Sequence, residues 1–226
     1  MKVLVVACHP DDETLGVGGS IVRHVRDGDE VSVCLLTDGA ISRHDYVSLQ
    51  KECAEKACAA LGVHNVVFCN FADQGLDALP LLEVTKAIEA YIDAFQPDTV
   101  YTHFENDANK DHRIAFQATL VACRPIAGSP VTRLLCYETA SSTEWGSSLN
   151  GNTFSPNVFV DISDALDQKI EAMSAYAHTH VSEVRPYPHP RSYAAIQVYA
   201  RHHGIAAGMH AAEAFMLVRE LRARAS

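Results

Sequence analysis

Uninterrupted apolar runs return along the chain at regular intervals, and each is followed by a stretch with helical spacing. Lys2 to Cys8, Glu30 to Thr37, Val63 to Cys69, Thr99 to His103 and Leu134 to Glu138 are the runs. Thr14 to Asp27, Tyr46 to Leu61, Leu81 to Phe95 and Arg113 to Cys123 carry the helical spacing, with Gly62 and Gln96-Pro97 as stop signals. Strands without a polar alternation belong to a sheet covered on both faces. Strict alternation of such strands with helices predicts an α/β fold, a doubly wound and mostly parallel sheet joined by right-handed crossovers. Asn157 to Ile162 reads as a further strand, and Asp164 to Ala177 and Tyr193 to His203 as helices. Ala211 to Ala223 reads as a closing amphipathic helix. No repeat or linker divides the 226 residues, so 1–226 is expected to be one domain.

The formal charge of −10 argues against nucleic acid or an anionic membrane as partner, because both need a basic face. No apolar run approaches the ~18 residues of a membrane span, and the chain enters a strand without a basic leader. Cys8, Cys34, Cys53, Cys58, Cys69, Cys123 and Cys136 form an odd set without a CxxC pair, mostly inside apolar runs. They read as buried thiols of a reducing compartment, and a cytoplasmic enzyme is expected.

The first apolar run ends in His9-Pro10-Asp11-Asp12-Glu13 and then a Gly-rich segment. Open α/β sheets place their chemistry at the carboxyl ends of strands. His9 and Asp12, three apart in a turn, can converge on a cation, while Asp11 between them is placed to take a proton from water. The competing reading is a helix cap, since acidic residues before a helix complement its dipole. Gly16, Gly18 and Gly19 do not form a GxGxxG phosphate loop. A second constellation follows the fourth strand: His103, Glu105, Asp107, Asp111 and His112. The ends of the first and fourth strands can be neighbours at a switch point, which makes His112 a third ligand for the same cation.

HPDDE after a first strand and a DH pair near mid-chain resemble the PIG-L/LmbE-like family of metal-dependent N-deacetylases, as do LTDGA after the second strand and the closing RHHGIAAGMHAAEAF. The resemblance implies a Rossmann-like fold, a zinc ion and hydrolysis of an acetamide on an amino sugar, sugar conjugate or related metabolite. It implies His9, Asp12 and His112 as metal ligands, Asp11 as general base, and Glu13 and Asp111 as residues that hold the ligands in place. Many members carry a His where this chain has Asn109, which can donate to an oxyanion but cannot act as an acid near neutral pH. His189, between two prolines in a late loop, is the candidate for the missing proton donor, with a solvent-exposed loop His as the alternative.

Arg43, Arg185, Arg191 and Trp145 are the candidate substrate contacts: the arginines for an anionic or hydroxyl group, the indole for a sugar face. Each has a plain reading as a solvated loop residue or a local anchor. The partner expected is a small N-acetylated molecule, and a homo-oligomer is compatible with the sequence. Two imidazoles and a carboxylate suit zinc, iron or cobalt alike. Competing functions are an amidase for a larger sugar-conjugate amide and a metal- or nucleotide-binding module without turnover.

Overall fold

The computed structural model describes residues 1–39, 46–148, 151–178 and 182–222. In chain order the elements are β1 (Lys2–Ala7), α1 (Asp12–Arg26), β2 (Glu30–Thr37), α2 (Val47–Ala60), β3 (Asn65–Phe71), α3 (Leu81–Phe95), β4 (Thr99–His103) and α4 (Lys110–Ala122). Then come β5 (Arg133–Tyr137), β6 (Val158–Asp161), α5 (Leu166–Ser174), α6 (Tyr193–Ala207) and β7 (Ala212–Glu220). One seven-stranded sheet takes them in the order β3-β2-β1-β4-β5-β7-β6. The first five strands are parallel, and β7 runs antiparallel to both β5 and β6. The chain winds outward from β1 to β3 and returns to the other side of β1 with β4, so the order reverses between β1 and β4. That is where such sheets open a crevice.

Period-two alternation divides the core into two layers. Val3, Val5 and Ala7 face one side with Val17, Ile21, Ala54, Ala57, Met173 and Ile196, under α1, α2, α5 and α6. Leu4, Val6 and Cys8 face the other with Val84, Ile88, Ala115 and Ala118, under α3 and α4. Every residue from Val3 to Cys8 is fully buried, and burying a Val or Leu side chain stabilises by roughly 1.5–3 kcal/mol. The Gly-rich start of α1 serves packing: a Cβ on Gly16 would stand 2.2 Å from the Tyr137 ring, and one on Gly19 2.7 Å from Ile162.

The closing segment overturns the helix expected over Ala211 to Ala223. Its Ala, Glu, Met, Leu and Arg favour helix locally, yet Ala212–Glu220 is a strand with ladders on both sides. Two-sided pairing and the burial of Phe215 against Tyr101, ring centroids 4.9 Å apart, outweigh that weak propensity. Glu213 therefore lies in a strand, where its carboxylate accepts from the backbone N–H groups of Gly19 and Ser20 and pairs with buried Lys169 at 2.6 Å. Among the described residues no helix is long and apolar enough to cross a membrane.

Candidate metal centre

Two strand ends meet at the switch point and are tied directly. The backbone N–H of Cys8, just past β1, donates to Nε2 of His103 at the end of β4, at 2.9 Å. This bond leaves the His103 proton on Nδ1, which faces Thr139 Oγ1 at 3.2 Å. Beyond Cys8 the chain turns sharply. Asp11 adopts φ 117° and ψ −28°, a conformation that costs a non-Gly residue of order 1–3 kcal/mol and that clusters at functional sites. The turn is over-determined: the His9 N–H donates to Asp12 Oδ2 at 2.8 Å, and the Asp11 N–H donates to Glu13 Oε2 at 3.1 Å. On the β4 side, Asn109 caps α4 by accepting from the Asp111 N–H at 2.9 Å, which puts His112 in the first turn of that helix.

His9, Asp12 and His112 converge. His9 Nδ1 lies 3.1 Å from Asp12 Oδ2 and 3.2 Å from His112 Nε2, and the last two atoms are 3.3 Å apart. A tetrahedral ion with donor bonds of about 2.05 Å requires donor–donor edges of about 3.3 Å, so this triangle has the dimensions of one tetrahedral face. The nitrogens turned away from it meet carboxylates, as metal-ligating imidazoles do. His112 Nδ1 is 3.3 Å from Asp107, while His9 Nε2 is 3.2 Å from Asp73 and 3.4 Å from Asp111. Asp107 is anchored in turn by the hydroxyls of Ser142 and Thr143 and by the Asn109 N–H.

The charge balance also calls for a cation. Burial opposes charge on His112, yet the Asp12 and Asp107 carboxylates push its pKa up to about 9. Burial likewise opposes charge on His9, and Asp111 and Asp12 raise it well above the usual histidine range. Burial opposes charge on Asp12, yet it is held well below the usual carboxylate range by the charge on His112 and by hydrogen bonds from His112 and His9. His103, stacked 3.9 Å from the His112 ring, is driven the other way by burial and by the neighbouring His112 charge, and stays neutral.

This centre lies in a cleft of about 490 Å³ that Asp11, Asn109, Trp145, Arg185, His189 and Arg191 also line. Asp11 is only 3% exposed, and burial raises its pKa well above the usual range against the pull of Arg191. Asn109 spends Oδ1 on the helix cap, and its Nδ2 has no partner among the described residues. His189 accepts the Arg191 N–H at Nδ1, 3.1 Å away, which places its proton on Nε2. Partial burial and the charges of Arg191 and Arg185 lower its pKa, so near neutral pH it is an uncharged hydrogen-bond donor. Trp145 is 60% exposed and meets the His189 ring edge-on at 6.1 Å.

Two expectations change. Arg191 does not stand free for a substrate anion: its Nη1 donates to Asp11 Oδ2 at 2.8 Å and to Glu183 Oε2 at 2.5 Å. Glu13 does not hold a ligating His; it takes the Asp11 N–H, the Thr14 hydroxyl and the Tyr176 hydroxyl. Arg43 lies outside the described residues. The sequence reading gave no role to Asp73, Asp107 or Glu183. Asp73 follows β3 at the same carboxyl edge and Asp107 follows β4, a positional signal that could have found both. Glu183 in its late loop carried none.

The model of the family PIG-L, GlcNAc-PI de-N-acetylase, matches residues 4–123. An uncharacterised deacetylase, YaiS, of Escherichia coli is 32% identical over 173 residues, covering 72% of this chain and 82% of its own. A probable N-acetyl-alpha-D-glucosaminyl L-malate deacetylase of Bacillus cereus is 27% identical, covering 77% and 81%. The N,N′-diacetylchitobiose deacetylase structure from Pyrococcus horikoshii superposes with a TM-score of 0.76 at 21% identity, covering 96% of this chain and 84% of that one. GalB, a 4-carboxy-2-hydroxymuconate hydratase of Pseudomonas putida, superposes with a TM-score of 0.77 at 19% identity, covering 100% and 99%. The fold is thus shared by different chemistries, and the reaction has to be argued from the site.

Proposed function

The chain belongs to the PIG-L family, and on that premise we propose that it hydrolyses the N-acetyl group of an amino sugar or amino-sugar conjugate. The observation that carries this reading is the convergence of His9 Nδ1, Asp12 Oδ2 and His112 Nε2 within 3.3 Å of one another, with buried Asp11 beside them in the same cleft. The deacetylase names of the relatives from Escherichia coli and Bacillus cereus support it. We read 1–226 as one domain of this kind, and its cysteine usage as that of a cytoplasmic enzyme.

His9, Asp12 and His112 are the residues that would hold a divalent cation, zinc above all. Bound there, such an ion supplies Lewis-acid polarisation of the amide carbonyl and a water acidified to a pKa of about 7. Asp11 takes the proton from the attacking water; its burial, which raises its proton affinity, suits it to that task and to holding the proton afterwards. As the carbonyl carbon becomes tetrahedral, the Nε2–H of His189 and the Nδ2 of Asn109, both on the cleft wall, serve as donors to its oxygen. Protonated Asp11 then delivers the proton to the leaving nitrogen as the C–N bond breaks. His189 acts here as a neutral donor rather than as the acid, because its lowered pKa leaves it without a proton to give away near pH 7. Asp73, Asp107 and Asp111 keep the ligating imidazoles oriented. Trp145 and Arg185 line the substrate side of the cleft.

The test is release of free amine and acetate by metal-loaded protein from N-acetylglucosamine, N,N′-diacetylchitobiose and a series of larger acyl amides. Preference for acetyl, with loss of turnover on chelation and recovery on adding zinc, is expected. Full turnover after exhaustive chelation, or no amine release from any acetylated sugar, would overturn the reading.

A further inference from the structure

Asp11 is gripped at both ends by a closed ring of hydrogen bonds. Its backbone N–H donates to Glu13 Oε2, and Glu13 Oε1 accepts the Tyr176 hydroxyl at 2.7 Å. The Tyr176 carbonyl accepts the Glu183 N–H at 3.0 Å, the Glu183 carboxylate takes the Arg191 guanidinium, and the guanidinium returns to Asp11 Oδ2. Arg191 is itself fixed on either side: its N–H bonds His189 Nδ1, and the next residue, Ser192, caps α6 through the Ala195 N–H. Gln50 of α2 braces the other Glu183 oxygen at 3.3 Å. Asp11 Oδ1 carries no hydrogen bond among the described residues, so the ring commits one carboxylate oxygen and leaves the other.

From this geometry we propose that Arg191, braced by Glu183, is a positioning residue for Asp11: it fixes the carboxylate so that Oδ1 is the oxygen presented to the attacking water. The same loop brings His189 to the cleft wall, so the segment that lines the substrate side also aims the base. Asp11 stands at φ 117° at the N-cap of α1, where the backbone bonds fix the turn and the Arg191 guanidinium is the contact that fixes the carboxylate. A misplacement of about 1 Å in a reacting group costs on the order of 100-fold in rate.

The inference rests on Asp11 being the base, and the experiment separates the two claims. Arg191→Ala, Arg191→Lys and Glu183→Gln are made in the wild-type and Asp11→Asn backgrounds and assayed as metal-loaded enzyme on N,N′-diacetylchitobiose, with metal content measured. Arg191→Ala should lower kcat about 100-fold and leave KM within about threefold, with metal content retained. Arg191→Lys should fall between, and added guanidinium ion should restore part of the Arg191→Ala turnover. In the Asp11→Asn background Arg191→Ala should cost nothing further. Glu183→Gln, which leaves the guanidinium in place, should lower kcat by less and without change in KM. A raised KM at wild-type kcat would make Arg191 a substrate contact and overturn the clamp. Additive losses in the double variant would overturn it as well, and wild-type kcat in Glu183→Gln would overturn the bracing. Wild-type turnover in Asp11→Asn would overturn the base assignment itself.

Discussion

Metal uptake by this centre must displace protons, and the structure sets how steeply. In the metal-free protein the Asp12 and Asp107 carboxylates raise the His112 pKa to about 9, and Asp111 and Asp12 raise that of His9 as well, so the two rings hold an extra proton at pH 7. Asp12 is already ionised, since its pKa is held low. A cation binds only the neutral imidazoles, so it competes with those protons. For His112 alone, the gap between pH 7 and a pKa of about 9 corresponds to about 3 kcal/mol. The apparent zinc affinity should therefore rise at least about 50-fold between pH 7 and 9 from His112 alone, with at least one proton released per ion near pH 7. Chelator competition across this range gives the affinities, and calorimetry in buffers of different ionisation enthalpy gives the proton count. An affinity that moved less than about threefold, with binding heats independent of the buffer, would refute the charge balance drawn for the site. The same raised pKa makes a claim about the metal-free fold. A group whose folded pKa is raised contributes stability that is present below its unfolded value of 6.5 and is lost as pH rises through about 9. Metal-free protein should thus lose up to about 3 kcal/mol over that window, and metal-loaded protein should not.

Asp107→Asn keeps the shape but replaces the carboxylate facing His112 Nδ1, and should weaken metal binding about 10–100-fold, measured by the same chelator competition. His189→Gln keeps an N–H donor and should retain more turnover than His189→Ala, whose loss of an oxyanion donor should cost about 100–1000-fold in kcat; equal losses would argue for proton donation instead. Gly16→Ala forces a methyl to within 2.2 Å of the Tyr137 ring and should destabilise by about 1–3 kcal/mol. At about 2–4 °C per kcal/mol for a chain of this size, the shift is readable by thermal unfolding.

The alternation of covered strands and helices from Lys2 to Tyr137 was legible because its signals are local: apolar runs, period, turn residues and caps. Helix α4 starts at Lys110, three residues before the helix expected at Arg113, which left His112 at a helix start in either account. The last strand was not legible. Ala212–Glu220 has a composition that suits a helix, and its state is decided by β5 and β6, which lie far away in the chain.

The site divides along the same line. HPDDE, the DH pair and their places after β1 and at the start of α4 are determined by the sequence, because ligand chemistry and strand-end position are both properties of short segments. Only the tertiary structure decided which carboxylate meets which nitrogen, since Asp73 reaches His9 from the end of β3, across the sheet edge. It also decided that Arg191 grips the Asp11 carboxylate rather than standing free. Two residues 180 apart in the chain carry no shared sequence signal, and a charged pair at 2.8 Å exists only once the switch point and the late loop have been folded onto each other.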